Sequence, residues 1–432
     1  MSAGTSILKS FDNKDIRNKI LVTLFVLFVY RLAIHIPLPQ VDPLALRMFF
    51  ESGSGGFFQA LSLFSGGGTF SILGLGLGPY ISASIIIQVL IMMIPSLEAM
   101  AKEGMVGRQK INLYTTLLTF PIAVAQSFAI YNLMSKQSAG GLNLFNSVGI
   151  FDIVLIILIM TAGTYIMMFF GQLITEYGAG QGTSILIFAG IVASLPSTLG
   201  QFFSIADSLQ FTSILIFVGL AAAVIFGIIF ISQAYRRIEI QYSGRSNGGQ
   251  VTSGGRSYIP IKINQAGVIP IIFAVALTLV PGFLATYLQR LPNPMLSNIG
   301  EWLSVYFSTS SVLYNIFYFL LVFAFTYFYT SVAFNPQKIS EDIRKSGGFV
   351  PGIRPGGATV SYLRYVINRL TLAGGVFLGL LAVMPSIVQS LTGITSLAIG
   401  GTGLLIVVSV ILETVKQIEA QLVSREYDKL ID

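Results

Sequence analysis

Long apolar stretches separated by polar segments run through this chain of 432 residues. A helix that crosses a bilayer needs about 20 mainly apolar residues, because each residue advances about 1.5 Å through a hydrocarbon core about 30 Å thick. Ten stretches come near this length and predict ten membrane-spanning helices. The stretches cover residues 20–36, 79–95, 113–133, 153–173, 183–199, 211–231, 268–288, 311–334, 370–388 and 394–415.

A further apolar stretch at 61–77 differs from these ten because it is rich in glycine. Each glycine costs a helix about 1 kcal/mol relative to alanine. Irregular backbone at membrane depth is tolerated where protein encloses it or where it lines a wet cavity. The stretch therefore predicts a short, partly helical re-entrant segment.

The composition agrees with a membrane protein. Hydrophobic residues make up 54% of the chain, charged residues 10%, and the mean hydropathy is +0.79. Soluble domains carry about 25% charged residues, so the outer surface is predicted to face lipid. The chain has no cysteine and a single histidine, His35, which is expected at the interface. Disulfides, cysteine-bound metals and histidine metal clusters are excluded, and no cofactor is expected.

Basic residues are distributed unequally between the two sides that ten spans define. With an even number of spans both termini lie on one side, and that side carries 21 of the 25 lysine and arginine residues. Eleven of these lie in two long segments, 234–263 and 335–369. Because lysine and arginine stay on the cytoplasmic side, both termini and both segments are predicted to be cytoplasmic.

The loop between the fifth and sixth predicted spans divides the chain into two parts, 1–200 and 201–432. Each part has five spans, so the two halves have opposite topology in the membrane. Inverted halves of this kind place a functional path where they meet. No internal sequence repeat is visible, so this prediction depends on the number of spans.

The predicted spans are nearly free of charged residues. Arg31 lies near a span end, as do Asp152 and Glu413. Charged groups at mid-membrane usually mark proton relays or ion sites, and neither a GxxxxGK[ST] phosphate loop nor an HExxH motif is present. These absences argue against an ion-coupled transporter, an ATPase and an intramembrane protease.

Four long motifs resemble the SecY family, whose members are the central subunits of the Sec protein-conducting channel. They are GPYISASIIIQVL, IPIKINQAGVIPIIFA, FNPQKISEDIRKSGGFVPGIRPG and GGTGLLIVVSVILE, at residues 78–90, 259–274, 334–356 and 400–413. With the ten spans, the resemblance covers essentially the whole chain. It implies an all-α membrane protein of two inverted five-helix halves, with a re-entrant plug at about 61–73. The 351–356 stretch resembles that of bacterial members, so the chain is expected in the bacterial cytoplasmic membrane.

The resemblance also implies functional positions around an hourglass-shaped channel. Thr183 stands where the family pattern commonly has an aliphatic residue. The implied pore ring consists of Leu77, Ile81, Thr183, Ile187, Ile272 and Ile406. The implied plug residues are Leu61, Phe64, Gly66, Gly67, Gly68, Phe70 and Ile72. The implied lateral gate contains Ser84, Ile85, Gln88, Asn264 and Val268.

The two basic segments are implied to dock partners. Of the basic residues in these segments, Arg354 is expected to contribute most to docking. The expected partners are the small membrane subunits SecE and SecG, the SecA motor ATPase, the ribosome through its RNA, signal sequences and nascent polypeptides, and membrane lipid. The implied docking residues are Arg236, Arg237, Arg245, Arg256, Lys262, Arg344, Lys345 and Arg354.

The implied function is a channel subunit, not an enzyme. It would pass unfolded secretory polypeptides across the membrane and release transmembrane segments sideways into lipid, with energy supplied by the motor or the ribosome. Without the family resemblance, these residues also have explanations that involve no channel. Isoleucines in spans commonly face lipid or core, Gln88 and Asn264 can serve as interhelical hydrogen-bond formers, and basic residues set topology. A secondary transporter of small solutes with inverted repeats is the alternative.

Overall fold

The structure is a computed structural model that is mostly helical. It describes residues 14–39, 41, 71–135, 138–139, 142–143, 149–206, 211–242, 246–247, 250–251, 255–267, 269–289, 293–308, 311–392 and 400–431. In chain order the helices are α1 (Lys14–Ile34), α2 (Gly78–Met93), α3 (Pro95–Lys102), α4 (Met105–Ser135), α5 (Ile150–Tyr177), α6 (Gly182–Ala206), α7 (Phe211–Gln233), α8 (Ile269–Leu288), α9 (Pro294–Tyr306), α10 (Val312–Ala333), α11 (Pro336–Lys345), α12 (Gly357–Thr392) and α13 (Gly400–Ile431).

Each of the ten predicted stretches overlaps one of these helices. Among the described residues, four helical stretches are long and apolar enough to cross a membrane: Met105–Asn132, Ile150–Tyr177, Val312–Lys345 and Gly357–Ser390. A fifth crossing is obtained if the pair α2 and α3, bent by 108°, counts as one span. That ten helices cross the bilayer stays a prediction.

Several threonine hydroxyls inside the apolar helices find partners within their own helix. The hydroxyls of Thr115, Thr119, Thr161, Thr326 and Thr330 each donate to the carbonyl four residues earlier, at 2.7–2.9 Å. A hydroxyl buried without a partner costs free energy, and this back-bonding removes that cost. Threonine is therefore compatible with the apolar surroundings of these helices.

The chain divides into two compact units. Unit 1 contains Met1–Asp207, Gly282–Leu303 and Val410–Asp432, and unit 2 contains Ser208–Pro281 and Ser304–Ser409. The helices α8, α9 and α13 each contribute to both. The predicted domain division at residue 200 stays a prediction.

Seven short strands complete the described structure: β1 (Ser138–Ala139), β2 (Leu142–Asn143), β3 (Tyr235–Tyr242), β4 (Ser246–Asn247), β5 (Gln250–Val251), β6 (Arg256–Lys262) and β7 (Gly348–Phe349). The largest sheet has the order β6-β3-β7, and all its pairs are antiparallel. One of its faces packs on α12, through a core of Ile238, Ile261, Val350, Leu363 and Ile367. This sheet holds the first basic segment of unit 2 against the second.

Candidate channel lining and docking surface

Four predicted ring residues lie in unit 1. Leu77 is fully buried at the end of a run of tight turns, directly before α2, and Ile81 lies in the first turn of α2. Thr183 and Ile187 are four residues apart on α6, so they share one face of that helix. Ile187 is buried and Thr183 is half-buried. Three of the side chains are therefore placed by the first two turns of a helix, and Leu77 by the turn that precedes one.

The turns before Leu77 are anchored at their start. The Ile72 amide donates to the Ile36 carbonyl at 3.1 Å, and Ser71 forms a bridge with Pro37. On α5, Gly163 lies so close that a Cβ atom there would stand 1.9 Å from the Ile72 carbonyl oxygen. Only glycine permits this approach of helix and backbone. Gly163 thus fixes the position of the 71–77 segment, which carries Leu77.

Gly163→Ala is expected to destabilise the protein, because either α5 or the 71–77 backbone must move to relieve the clash. Overpacking of a tight interior costs about 1–3 kcal/mol. The matched control is Gly219→Ala on α7, where a Cβ atom would meet nothing within 4 Å. Thermal unfolding of the purified protein in detergent should show a lowered Tm for Gly163→Ala only. Equal Tm values for both variants would contradict the anchoring role.

The other two predicted ring residues lie in unit 2. Ile272, on α8, is 9% exposed, and Ile406, on α13, is 1% exposed. Neither helix places a charged residue beside them, since the neighbours of Ile272 are Ile271 and Phe273 and those of Ile406 are Leu405 and Val407. The ring positions of both units are thus apolar except at Thr183.

Thr183 differs from Thr115, Thr119, Thr161, Thr326 and Thr330 because it stands at the start of its helix. The Gly182 amide donates to the Thr175 hydroxyl at 2.9 Å, and this bond fixes the beginning of α6. The Thr183 methyl group faces Gly171 of α5, where a Cβ atom would lie 3.4 Å from it. Four residues before Thr183 the backbone is not helical. The in-helix partner that satisfies those five threonines is therefore missing at Thr183.

The described gate residues carry buried amide groups whose hydrogen bonding is incomplete. Gln88, on α2, donates to the Ser84 hydroxyl at 3.1 Å, and Asn264 donates to the Gly267 carbonyl at 3.2 Å. The side-chain oxygens of Gln88, Asn264 and Gln265 are buried and find no partner in the described part of the chain. A buried acceptor without a partner costs about 1–3 kcal/mol. Ile85 lies beside Gln88 on α2, half-buried.

The sheet of unit 2 presents an exposed face with a stacked arginine. The Arg237 Cζ atom lies 5.2 Å from the centroid of the Tyr235 ring and 4.9 Å from that of Tyr258. The Arg237 guanidinium also donates to the Tyr235 hydroxyl at 2.7 Å, and this bond raises the pKa of Arg237. Tyr235 and Tyr258 are 46% and 50% exposed. Arg236, Arg256 and Lys262 are exposed on the same two strands.

Arg354 lies in the turn between β7 and α12 and is exposed. The turn is held on both sides. The Ile353 amide donates to the carbonyl of buried Val350 at 3.1 Å, and the Thr359 hydroxyl donates to the Arg354 carbonyl at 3.0 Å. Arg344 and Lys345 are exposed in the last turn of α11. The fixed backbone presents the Arg354 guanidinium to solvent without using it in the fold.

Several predicted site residues lie outside the described residues. They are Leu61, Phe64, Gly66, Gly67, Gly68 and Phe70 of the predicted plug, Val268 of the predicted gate, and Arg245 of the predicted docking set. Ile72 is the one plug residue within the described part of the chain. Sequence reasoning missed Gly163, Tyr235 and Tyr258. In the pairing of β3 with β6, Tyr235 lies opposite Lys262 and Tyr258 lies opposite Glu239, and no local sequence signal marked either tyrosine.

These features define an α-helical, multi-pass membrane protein with uncharged candidate channel positions and a basic sheet. The sequence profile of the SecY family matches residues 71–415. The protein translocase subunit SecY of Aquifex aeolicus (strain VF5) is 41% identical over 98% of this chain and 98% of its own length. That of Thermus thermophilus is 42% identical over 96% and 94%. The chain therefore belongs to the SecY family, as predicted, and that family consists of channel subunits rather than enzymes.

Solved structures show the same fold. "The structure of a protein conducting channel" has a TM-score of 0.65 at 18% identity and covers 95% of this chain and 94% of its own. Sec61 in the canine ribosome–channel complex from the endoplasmic reticulum has a TM-score of 0.61 at 17% identity, over 95% and 94%. At such identities the match establishes the fold, which is shared along almost the whole chain.

Proposed function

We propose that this chain is the protein-conducting channel subunit of a bacterial Sec translocon. It passes unfolded secretory polypeptides across the cytoplasmic membrane and releases transmembrane segments sideways into lipid. The observation that carries this proposal is the match to protein translocase subunits at about two-fifths identity along the entire chain. We infer the translocation function of those relatives for this chain because it shares the family motifs and has uncharged residues at the ring positions.

An apolar ring suits a substrate whose side chains differ widely in charge and polarity. A polypeptide carries acidic, basic, polar and apolar side chains, so a pore lined by fixed charge would bind some segments and repel others. The proposed ring, formed by Leu77, Ile81, Thr183, Ile187, Ile272 and Ile406, binds none of them strongly. A hydrophobic constriction also excludes ions by dewetting when no polypeptide fills it. The plug at about 61–73 would add a second barrier.

The gate residues support sideways release. A signal sequence is an apolar segment long enough to span the membrane, so it partitions into lipid when the channel wall opens. The buried side-chain oxygens of Gln88 and Asn264 lack partners among the described residues, which lowers the stability of the arrangement that buries them. We infer that they keep the proposed gate, which also contains Ser84, Ile85 and Val268, close to the balance between closed and open.

Gln88→Leu is expected to favour the closed gate, because leucine fills a similar volume and removes a buried acceptor that lacks a partner. Preproteins with weakly hydrophobic signals should then be exported less efficiently than those with strongly hydrophobic signals, by about tenfold for a change of 1.4 kcal/mol. Gln126→Leu on α4 is the control, since Gln126 donates only a long bond of 3.5 Å to Ser82. Export that falls equally for both signal types would contradict a gate role.

The topology and partners complete the proposal. Ten helices in two inverted five-helix halves, with both termini and the segments 234–263 and 335–369 in the cytoplasm, would present the basic sheet to SecA and to ribosomal RNA. SecE and SecG would pack on the membrane part. Support for the ribosome comes from two structural neighbours, canine Sec61 in a ribosome–channel complex and yeast Ssh1 bound to the 80S ribosome.

Reconstitution tests the proposed function. The chain is placed in lipid vesicles with the small subunits, and the motor, ATP and a preprotein are added. The preprotein is expected to become protected from external protease only when this chain is present and ATP is supplied. Protection that does not depend on this chain would exclude the channel function.

A further inference from the structure

The helix α9, Pro294–Tyr306, carries an apolar stripe that no described part of the chain covers. Met295 is 73% exposed, Ile299 42%, Trp302 51% and Tyr306 45%. These residues are spaced by four, three and four positions, so they form one narrow line along the helix. Val305, 64% exposed, borders the line.

The opposite side of α9 fixes how the helix is rotated. A Cβ atom at Gly300 would lie 2.6 Å from the Gln289 amide nitrogen and 2.9 Å from the Ala285 carbonyl oxygen. The Gln289 side chain donates to the Gly300 carbonyl at 3.1 Å. Gly300 is therefore pressed against the last turn of α8. This contact directs the stripe of Met295, Ile299, Trp302 and Tyr306 away from the last turn of α8.

Short connections join α9 to two apolar helices, α8 before it and α10 after it. Its middle touches the last turn of α8, and only residues 307–311 separate it from α10. Five extended residues reach about 17 Å at most. Since α8 is apolar and α10 belongs to a stretch that can cross a membrane, α9 would lie within a short distance of the bilayer surface when these two helices span the bilayer.

The chemistry of the stripe matches that position. Tryptophan and tyrosine are enriched where hydrocarbon meets water, because each has an apolar body and a polar tip. Trp302 is the only tryptophan of the chain. The one charged residue of α9, Glu301, is exposed beside the stripe rather than on it. An amphipathic helix of this composition lies in the interface plane with its apolar face in the headgroup and acyl boundary.

We propose that α9 is an interfacial helix, with Met295, Ile299, Trp302 and Tyr306 inserted among lipids at the membrane surface. The helix then anchors the connection between α8 and α10 to the bilayer. The proposal depends on the membrane placement of these two helices and goes beyond the translocation function, so either can fail without the other.

The single tryptophan allows a direct test with the full-length chain in vesicles. Vesicles contain phosphatidylcholine brominated either near the headgroup end of the acyl chain or near its methyl end, and acrylamide is the aqueous quencher. Trp302 fluorescence is expected to be quenched most by the shallow bromines, less by the deep bromines and least by acrylamide. Strong acrylamide quenching with no effect of brominated lipid would overturn the proposal, since the indole would then lie in water.

Two double variants control for the rotation of the helix. In Trp302→Phe with Tyr306→Trp, the probe moves one turn along the stripe, and shallow lipid quenching should be retained. In Trp302→Phe with Ser304→Trp, the probe moves to the other side, and acrylamide should become the stronger quencher. Weak quenching of Trp302 by every quencher, at high and low protein density, would mean that protein covers the stripe and would also overturn the proposal.

Discussion

Arg354→Glu is expected to lower preprotein export by about tenfold or more while the protein still accumulates, folded, in the membrane. Reversing a charge at an interface removes an attraction and adds a repulsion, and each 1.4 kcal/mol lost corresponds to a factor of ten in affinity. The guanidinium is exposed, whereas the fold uses only the Arg354 backbone, through its carbonyl bond from Thr359. The measurement compares ATP-driven translocation into vesicles with binding of the motor to them.

Arg364→Glu is the matched control, because Arg364 is exposed on α12 in the same unit but lies on the helix rather than in the turn. Its effect on export should be clearly smaller. Motor binding to the unmodified channel should weaken as salt rises, since exposed charges are screened within about 10 Å at 0.1 M salt. Equal export losses in the two variants, or loss of folded Arg354→Glu protein, would refute the specific docking role.

Thr183→Val is expected to lower the ion leak of the resting channel by about tenfold. Valine keeps the shape of threonine but lacks the hydroxyl, and removing a polar group from an apolar constriction makes wetting less favourable by about 1–3 kcal/mol. The effect depends on Thr183 lining the ring, where it is half-buried and lacks the in-helix partner of the other threonines. Planar-bilayer conductance of the reconstituted channel measures the leak.

Thr119→Val serves as the control for this substitution. Thr119 is fully buried on α4, and its hydroxyl donates to the Thr115 carbonyl at 2.8 Å within the same helix. Its replacement makes the same chemical change away from the ring and should leave conductance unaltered. A leak that is unchanged in Thr183→Val would remove Thr183 from the ring.

The apolar stretches predicted where helices lie but not how far they extend. Residues 335–369 read as a basic loop, yet α11 and the beginning of α12 occupy most of it. The reason is visible at Leu363 and Ile367, four residues apart, which bury one side of α12 against the sheet while Arg364 and Arg369 stay exposed. A search for membrane-length apolar windows cannot detect such an amphipathic extension, because its mean hydropathy is low.

The candidate site was predictable to the extent that motifs carry it. The ring and gate positions come from the family resemblance, and sequence reasoning added that their surroundings are uncharged. Contacts between distant segments were not predictable. Neither the approach of Gly163 to Ile72 nor the stacking of Arg237 on Tyr258 has a local sequence signal, because each arises from tertiary packing.

Passage of a polypeptide along the apolar ring can be measured by site-specific cross-linking, since the chain has no cysteine of its own. Single cysteines are introduced at Ile187, Ile272 or Ile406, and at Phe226, which is 71% exposed on α7. A preprotein with one cysteine is arrested during translocation and oxidised. If the polypeptide passes through the channel, we expect disulfides between the preprotein and the three ring positions and none to position 226. Absence of cross-links at the ring, or equal cross-linking at position 226, would contradict a polypeptide path through this chain.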